Sequence, residues 1–132
     1  MRIYLTHCSS AKDSSLKGSG KSVTPGILYT SQHIQRFMNR CKERNVEWAI
    51  FSDLYDVWSP SVKHEWYEKN PDKVSEEEFQ HLLKNFNEKL QNYDEIYFYY
   101  NPGRFHRLYK SLIEKSTLNS RIQLISHLSD IG

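Results

Sequence analysis

Residues 75–103 read SEEEFQHLLKNFNEKLQNYDEIYFYYNPG, and the change of hydrophobic period inside this stretch decides the fold. Its first half sets Phe79, Leu82, Leu83, Phe86 and Leu90 on one stripe of a helix. Ser75 and Glu78 have the spacing of a capping box, in which each side chain satisfies the other residue's backbone amide at the helix start. The second half, Asp94 to Tyr100, contains Ile-Tyr-Phe-Tyr-Tyr and stops at Asn101-Pro102-Gly103, as a central strand closed by a tight turn would.

The same alternation extends outward in both directions. Upstream, Ile34, Phe37, Met38 and Cys41 form one helical face between Ser31 and Asn45, with Thr30 or Ser31 as cap. The apolar run from Glu47 to Ser52 reads as a buried strand, and Arg2 to Cys8 as the first strand of the chain. Downstream, Phe105, Leu108, Tyr109, Leu112 and Ile113 predict a helix to about Ser116, and Arg121 to Ser126 a fourth strand. Strands separated by helices of this length are normally parallel. The expectation is therefore a single α/β domain over residues 1–132: a three-layer, Rossmann-like (flavodoxin-like) open sheet of four mainly parallel strands. Strand orders 2-1-3-4 and 3-2-1-4 both satisfy the handedness rule, and the first is favoured.

In the favoured order the chain reverses direction between strands 1 and 3, and ligands of such sheets bind outside the carboxyl ends of the bordering strands. This nominates the loops Ser9 to Thr30 and Asn101 to Arg104. The first is polar and serine-rich, longer than most loops of a compact domain, and reads as irregular. Asp53 to Val74 also reads as irregular, though it carries Tyr55, Trp58, Trp66 and Tyr67.

With 132 residues, 38% hydrophobic and 14% aromatic, the chain has enough apolar material for a core without disulfide or metal. A net charge of +2 with both signs interspersed gives no broad electrostatic footprint for nucleic acid. Cys8 and Cys41 read as free thiols of a reducing compartment, and no apolar run approaches the length of a signal peptide or a membrane span. A cytoplasmic location and no membrane association are expected.

Gly18-Ser19-Gly20-Lys21-Ser22 resembles the end of a phosphate loop, but its first glycine would fall at Ser15, and Val23-Thr24-Pro25-Gly26 cannot open a helix directly. The six histidines show neither the HExxH spacing nor an accompanying Cys-x-x-Cys, so neither a metal nor a cofactor is expected. Cys8, Ser9 and Lys12 follow strand 1, where a thiol, a hydroxyl and an ammonium can converge on a polar or anionic ligand. A nucleophilic Cys8 would need a base, and the adjacent His7 would point to the opposite sheet face. Asn101-Pro102-Gly103-Arg104 would supply amides at a helix start and a guanidinium, an anion or base-edge site, although a structural turn needs the same residues. Tyr97 to Tyr100 alternate between two covered faces and read as core, whereas Tyr55, Trp58, Trp66 and Tyr67 could stack bases or anchor a loop.

Three short motifs, Cys8-Ser9-Ser10-Ala11-Lys12, Leu28-Tyr29-Thr30-Ser31 and Phe51-Ser52-Asp53-Leu54-Tyr55, resemble an uncharacterised family of small Rossmann-like domains. In that family a strand ends in Cys-x-x-x-Lys, Leu-Tyr-Thr/Ser-Ser precedes a helix, and a strand ends near Ser-Ala-Lys-Tyr-Gly-Leu. The resemblance covers about the first half of the chain. These domains are distantly similar to the uracil-DNA-glycosylase-like domains found beside enzymes that install 7-deazaguanine bases, which implies nucleobase or nucleic-acid contact. Leu54 and Asp56 stand where the family pattern has lysine and glycine.

The leading expectation is a nucleotide- or nucleobase-binding domain acting in nucleic-acid modification, with Cys8, Ser9, Lys12, Tyr29, Ser52, Tyr55 and Arg104 lining the site. Its partner would be a nucleoside, a nucleotide or a nucleic acid. Lys12 and Arg104 would hold an anion, Ser9 and Ser52 would bond polar edges, and Tyr29 or Tyr55 would stack. One alternative is an N-glycosidase or transferase on nucleosides using Asp53 or Asp56. The other is a noncatalytic interaction module, such as a homodimer formed through the aromatic segment from Tyr55 to Tyr67.

Overall fold

The computed structural model describes residues 1–132. The first strand β1 (Arg2–His7) leads into a clasp containing β2 (Ser22–Val23) and the single turn α1 (Pro25–Leu28). Helix α2 (Gln32–Arg44), strand β3 (Trp48–Ser52) and two short strands, β4 (Asp56–Trp58) and β5 (His64–Glu65), follow. Helix α3 (Glu76–Leu90), strand β6 (Glu95–Tyr99), helix α4 (Arg107–Lys115) and strand β7 (Ile122–Ile125) complete the chain.

The central sheet has the order β4-β3-β1-β6-β7. Its pairs are parallel except β3 with β4, which run antiparallel. The architecture is thus α/β with a mostly parallel sheet, but of five strands rather than the expected four. The extra strand is a hairpin return: Ser52 to Asp56 turns the chain back so that Ile50 faces Trp58 and Phe51 faces Val57. Asp56 makes this turn at φ 53, in the left-handed region that glycine favours.

Helix α2 covers one face of the sheet, where Phe37 stacks on Tyr99 (5.9 Å) and meets Trp48 edge-on (6.3 Å). On the other face Phe51 meets Phe86 of α3 at 5.8 Å and Tyr109 of α4 at 6.0 Å, both edge-on. Alternation along β6 sorts its aromatics accordingly, with Ile96 and Phe98 buried and Tyr97 and Tyr99 half-buried. Burying a side chain such as Phe51 or Phe86, both at 0% exposure, contributes about 1.5–3 kcal/mol.

Capping follows the sequence closely. Ser31 accepts from the Ile34 amide and Asn45 ends α2 in the left-handed region, while Ser75 and Glu78 form the reciprocal capping box of α3. The start of α4 differs from expectation. It begins at Arg107, capped by the His106 ring, whose Nδ1 accepts from Leu108 N–H at 2.9 Å. The Asn101 to Arg104 turn is therefore not a helix N-terminus.

The two segments expected to be irregular are organised by each other. Strand β2 pairs antiparallel with β5. The ends of the clasp are zipped by Asp13 N–H to Leu28 O (2.9 Å) and Thr30 N–H to Ala11 O (3.0 Å), around a bridge between Lys12 and Tyr29. Both segments thereby lie at the carboxyl ends of β1 and β3. No helix is long and apolar enough to cross a membrane.

Candidate functional site

The polar ends of β1 and β3 meet beneath this clasp. Cys8 follows β1, Asp53 follows β3, and both are buried because the parallel pairing continues to the strand ends, with Cys8 N–H bonded to Phe51 O at 2.8 Å. Ser52 is spent on structure. Its Oγ accepts from the amides of Leu54 (3.1 Å) and Tyr55 (3.0 Å) and donates to the Tyr67 hydroxyl (3.0 Å). Having accepted from Ser52, Tyr67 can donate onward to Tyr29, 2.5 Å away.

Next to this satisfied chain lies a hollow of about 180 Å³, lined by Cys8, Ser9, Ser10, Lys12, Asp53, Lys69, Pro71 and Tyr109. Lys12 is half-buried, with Nζ 4.4 Å from the centre of the Tyr67 ring and 5.9 Å from that of Tyr29. Lys69 is ion-paired with Glu78. Asp53 is only 4% exposed, and its Oδ1 has no hydrogen-bond partner. Burial raises the Asp53 pKa, while the Cys8 side chain and the two lysines oppose that rise. A more open groove of about 550 Å³ shares Asp53 and continues along the start of α3 past Leu54, Glu77, Glu78, His81 and Lys84.

Cys8 is not arranged as a nucleophile. Burial, with the Asp53 charge adding to it, pushes its thiol up to about 11, so it stays protonated at neutral pH. Its Sγ lies 3.2 Å from the Tyr109 hydroxyl, while His7 turns its Nδ1 to the Cys8 carbonyl (2.9 Å) and stacks between His33 (5.2 Å) and Tyr109 (5.1 Å). No group of three or more His, Cys, Asp or Glu side chains is placed to hold a metal ion.

Of the residues nominated from the sequence, Cys8, Ser9 and Lys12 share the hollow. Tyr29 and Ser52, both at 0% exposure, stand behind it as a hydrogen-bonded wall, so Tyr29 offers no free ring face for stacking. Tyr55 lies outside, its ring stacked on His64 at 3.9 Å and its hydroxyl bonded to Glu65 O. Arg104 is exposed on the turn after β6 and does not line the hollow. The amides of that turn are used internally, Arg104 N–H by Asn101 O (2.9 Å) and Gly103 N–H by Asn101 Oδ1 (3.0 Å). The aromatic segment turns inward, with Trp58 at 1% and Tyr67 at 5% exposure, which anchors the loop.

Lys69, Pro71 and Tyr109 had no part in the sequence reading of this site. Tyr109 was absorbed into the apolar stripe of α4, and Lys69 lies in an irregular segment with no local signal. Asp53 carried one: a carboxylate directly after a buried strand, where the pattern Ser-Ala-Lys-Tyr-Gly-Leu has alanine. No family model, curated protein or solved structure matches the chain, so the chemistry of the site rests on its own groups.

Proposed function

We propose that the domain binds a nucleobase, free or as part of a nucleoside or nucleotide, in the hollow beside Asp53. On this reading the sheet is a Rossmann-like open sheet with β4 appended, and the ligand occupies the crevice outside the carboxyl ends of β1 and β3. The observation that carries the reading is a hollow of ring size lined by a buried carboxyl group, Asp53, together with Lys12 and Tyr109. A cavity of about 150 Å³ accepts one benzene ring, whereas drug-sized ligands take about 300–1,000 Å³. At about 180 Å³ the hollow suits a base, and a sugar or phosphate would lie outside it. Tyr109 and Pro71 supply apolar walls, and Lys12 supplies a cation for a carbonyl or anionic group. The motif resemblance through Cys8, Lys12 and Leu28 to Ser31 extends the proposal to nucleic-acid modification of the 7-deazaguanine type, in the cytoplasm.

A thermal-shift panel of bases, nucleosides, nucleotides and 7-deazaguanines tests it. A ligand present at about a hundredfold its Kd stabilises by about 2.7 kcal/mol, which appears as a rise of several degrees in Tm. A flat response to the whole panel contradicts the proposal.

The raised pKa of Asp53 also favours a second reading, an N-glycosidase or transferase in which this carboxyl group handles a proton. Asp56 is committed elsewhere, to Lys89 and Asn85, and is not the partner acid. Release of free base from nucleosides or DNA, abolished by Asp53→Asn, is the expected result. No release by the wild type contradicts this second reading.

A further inference from the structure

Resting on the nucleobase reading, we infer that Asp53 selects a base edge that presents two adjacent N–H donors, the amino-oxo edge of guanine and isocytosine, over the edges of adenine, uracil and hypoxanthine. A carboxylate can only accept, and a buried acceptor left without a donor carries its full desolvation penalty. Oδ1 of Asp53 is in this state, at a residue 4% exposed. The nearest cations do not relieve it: Lys69 is ion-paired with Glu78, and Lys12 sits over the Tyr67 ring. Asp53 lines the hollow, so a ligand bound there can bring donors to its carboxyl group.

The groups around Asp53 narrow the ligand further. Lys12 lines the same hollow and carries only donors, so the ligand needs an acceptor next to its donors. A guanine-type edge combines a ring N–H, an exocyclic amine and an adjacent carbonyl in one plane, which meets a carboxylate and an ammonium side by side. Uracil alternates acceptor, donor and acceptor, so one of its carbonyl oxygens would face the carboxylate. Adenine offers one amine beside a lone pair, with the same conflict. Hypoxanthine keeps the ring N–H and the carbonyl but lacks the amine.

The test is calorimetric titration of the full chain with two pairs of probes that differ at the exocyclic amine: guanine against hypoxanthine, and isocytosine against uracil. The amino member of each pair is expected to bind at least tenfold tighter to the wild type. In Asp53→Asn, whose amide presents one acceptor and one donor, that preference should disappear and xanthine should overtake guanine. Lys12→Met should weaken guanine and hypoxanthine alike and leave their ratio unchanged, and unfolding curves of both variants establish that they fold. Equal binding within both pairs, or a preference unmoved by Asp53→Asn, overturns this inference and leaves the nucleobase reading standing. Binding of no base at all overturns both.

Discussion

Asp53 and Asp56 lie three residues apart in the same turn, and both are buried, at 4% and 8% exposure, yet they have opposite surroundings. Asp56 accepts from its neighbour Val57 N–H (2.7 Å), from Asn85 (3.0 Å) and from Lys89, so its charge is shared among three donors on two elements. Asp53 has an oxygen with no donor at all. Buried polar groups are nearly always paired, with protein, water or a ligand, so an orphan marks a place where a partner can be supplied from outside the chain. The lesson is that burial alone does not mark a functional carboxylate, whereas burial without a partner at the edge of a hollow singles one out for test. Asp56 holds the β3–β4 return together, and Asp53 is held open by it.

Substitutions at these two positions can break the contrast. The largest effect is expected at Asp56→Ala, which strands donors on Val57, Asn85 and Lys89. Allowing for the half-exposed Lys89, urea unfolding should show a loss of about 2–3 kcal/mol. Asp56→Gly should lose about 1 kcal/mol less, because glycine adopts φ 53 without penalty. Equal losses would mean that the left-handed turn is unstrained.

Asp53→Asn should move the other way and stabilise the ligand-free protein by about 1 kcal/mol at neutral pH, since it removes a buried charge whose desolvation outweighs the Cys8 and lysine contributions that favour it. The pH dependence gives the sign an independent check. The folded pKa of Asp53 lies above its ordinary value of 3.8, so the folded state binds the extra proton. The stability this contributes is complete below 3.8 and is lost as pH rises through the folded pKa. The advantage of Asp53→Asn should therefore vanish in acid.

A smaller effect comes from His7 and His33, which repeat the contrast on neighbouring rings. Thr6 Oγ1 donates to Tyr99 O (2.7 Å) and so accepts from His33 Nε2 (3.0 Å), whereas Nε2 of His7 is buried without a partner. Burial, reinforced by His7, lowers the pKa of His33 from 6.5 to about 4. Both rings are neutral in the fold at neutral pH, and protons enter the unfolded chain first. Stability should fall as pH drops from about 6.5 toward about 4, and His33→Phe should flatten that part of the curve. A wild-type curve flat across this window contradicts the assignment. The smallest effect is expected at Lys12→Met, within about 0.5 kcal/mol, because its contacts with the Tyr67 and Tyr29 rings and its attraction to Asp53 are offset by release of a half-buried ammonium group.

What the sequence made legible was local. The stripes of α2, α3 and α4 and the apolar runs of β1, β3, β6 and β7 each sit in one short window, and their caps at Ser31 and Ser75 are side chain to nearby backbone. Strand β4 was hidden because three residues, Asp56 to Trp58, give no period, and their pairing depends on an aspartate in the left-handed region. The clasp from Ser9 to Thr30 was hidden for another reason. Its order comes from backbone pairs between Ala11–Asp13 and Leu28–Thr30 and from β5, more than forty residues away from β2. Cys8, Ser9 and Lys12 could be read as neighbours because they follow one strand. Lys69 reaches them only through the fold, and Arg104, which its guanidinium and its place after a bordering strand recommended, stands on a turn that consumes its own amides.

The most direct test of Asp53 as the ligand-receiving group is a carboxyl-detected NMR titration of the free protein and of the protein saturated with isocytosine. The account predicts an Asp53 pKa above 3.8 in the free protein and a clear fall once ligand N–H groups meet the carboxylate. An Asp53 pKa at its ordinary value in the free protein, or one that saturation leaves unmoved, would contradict it.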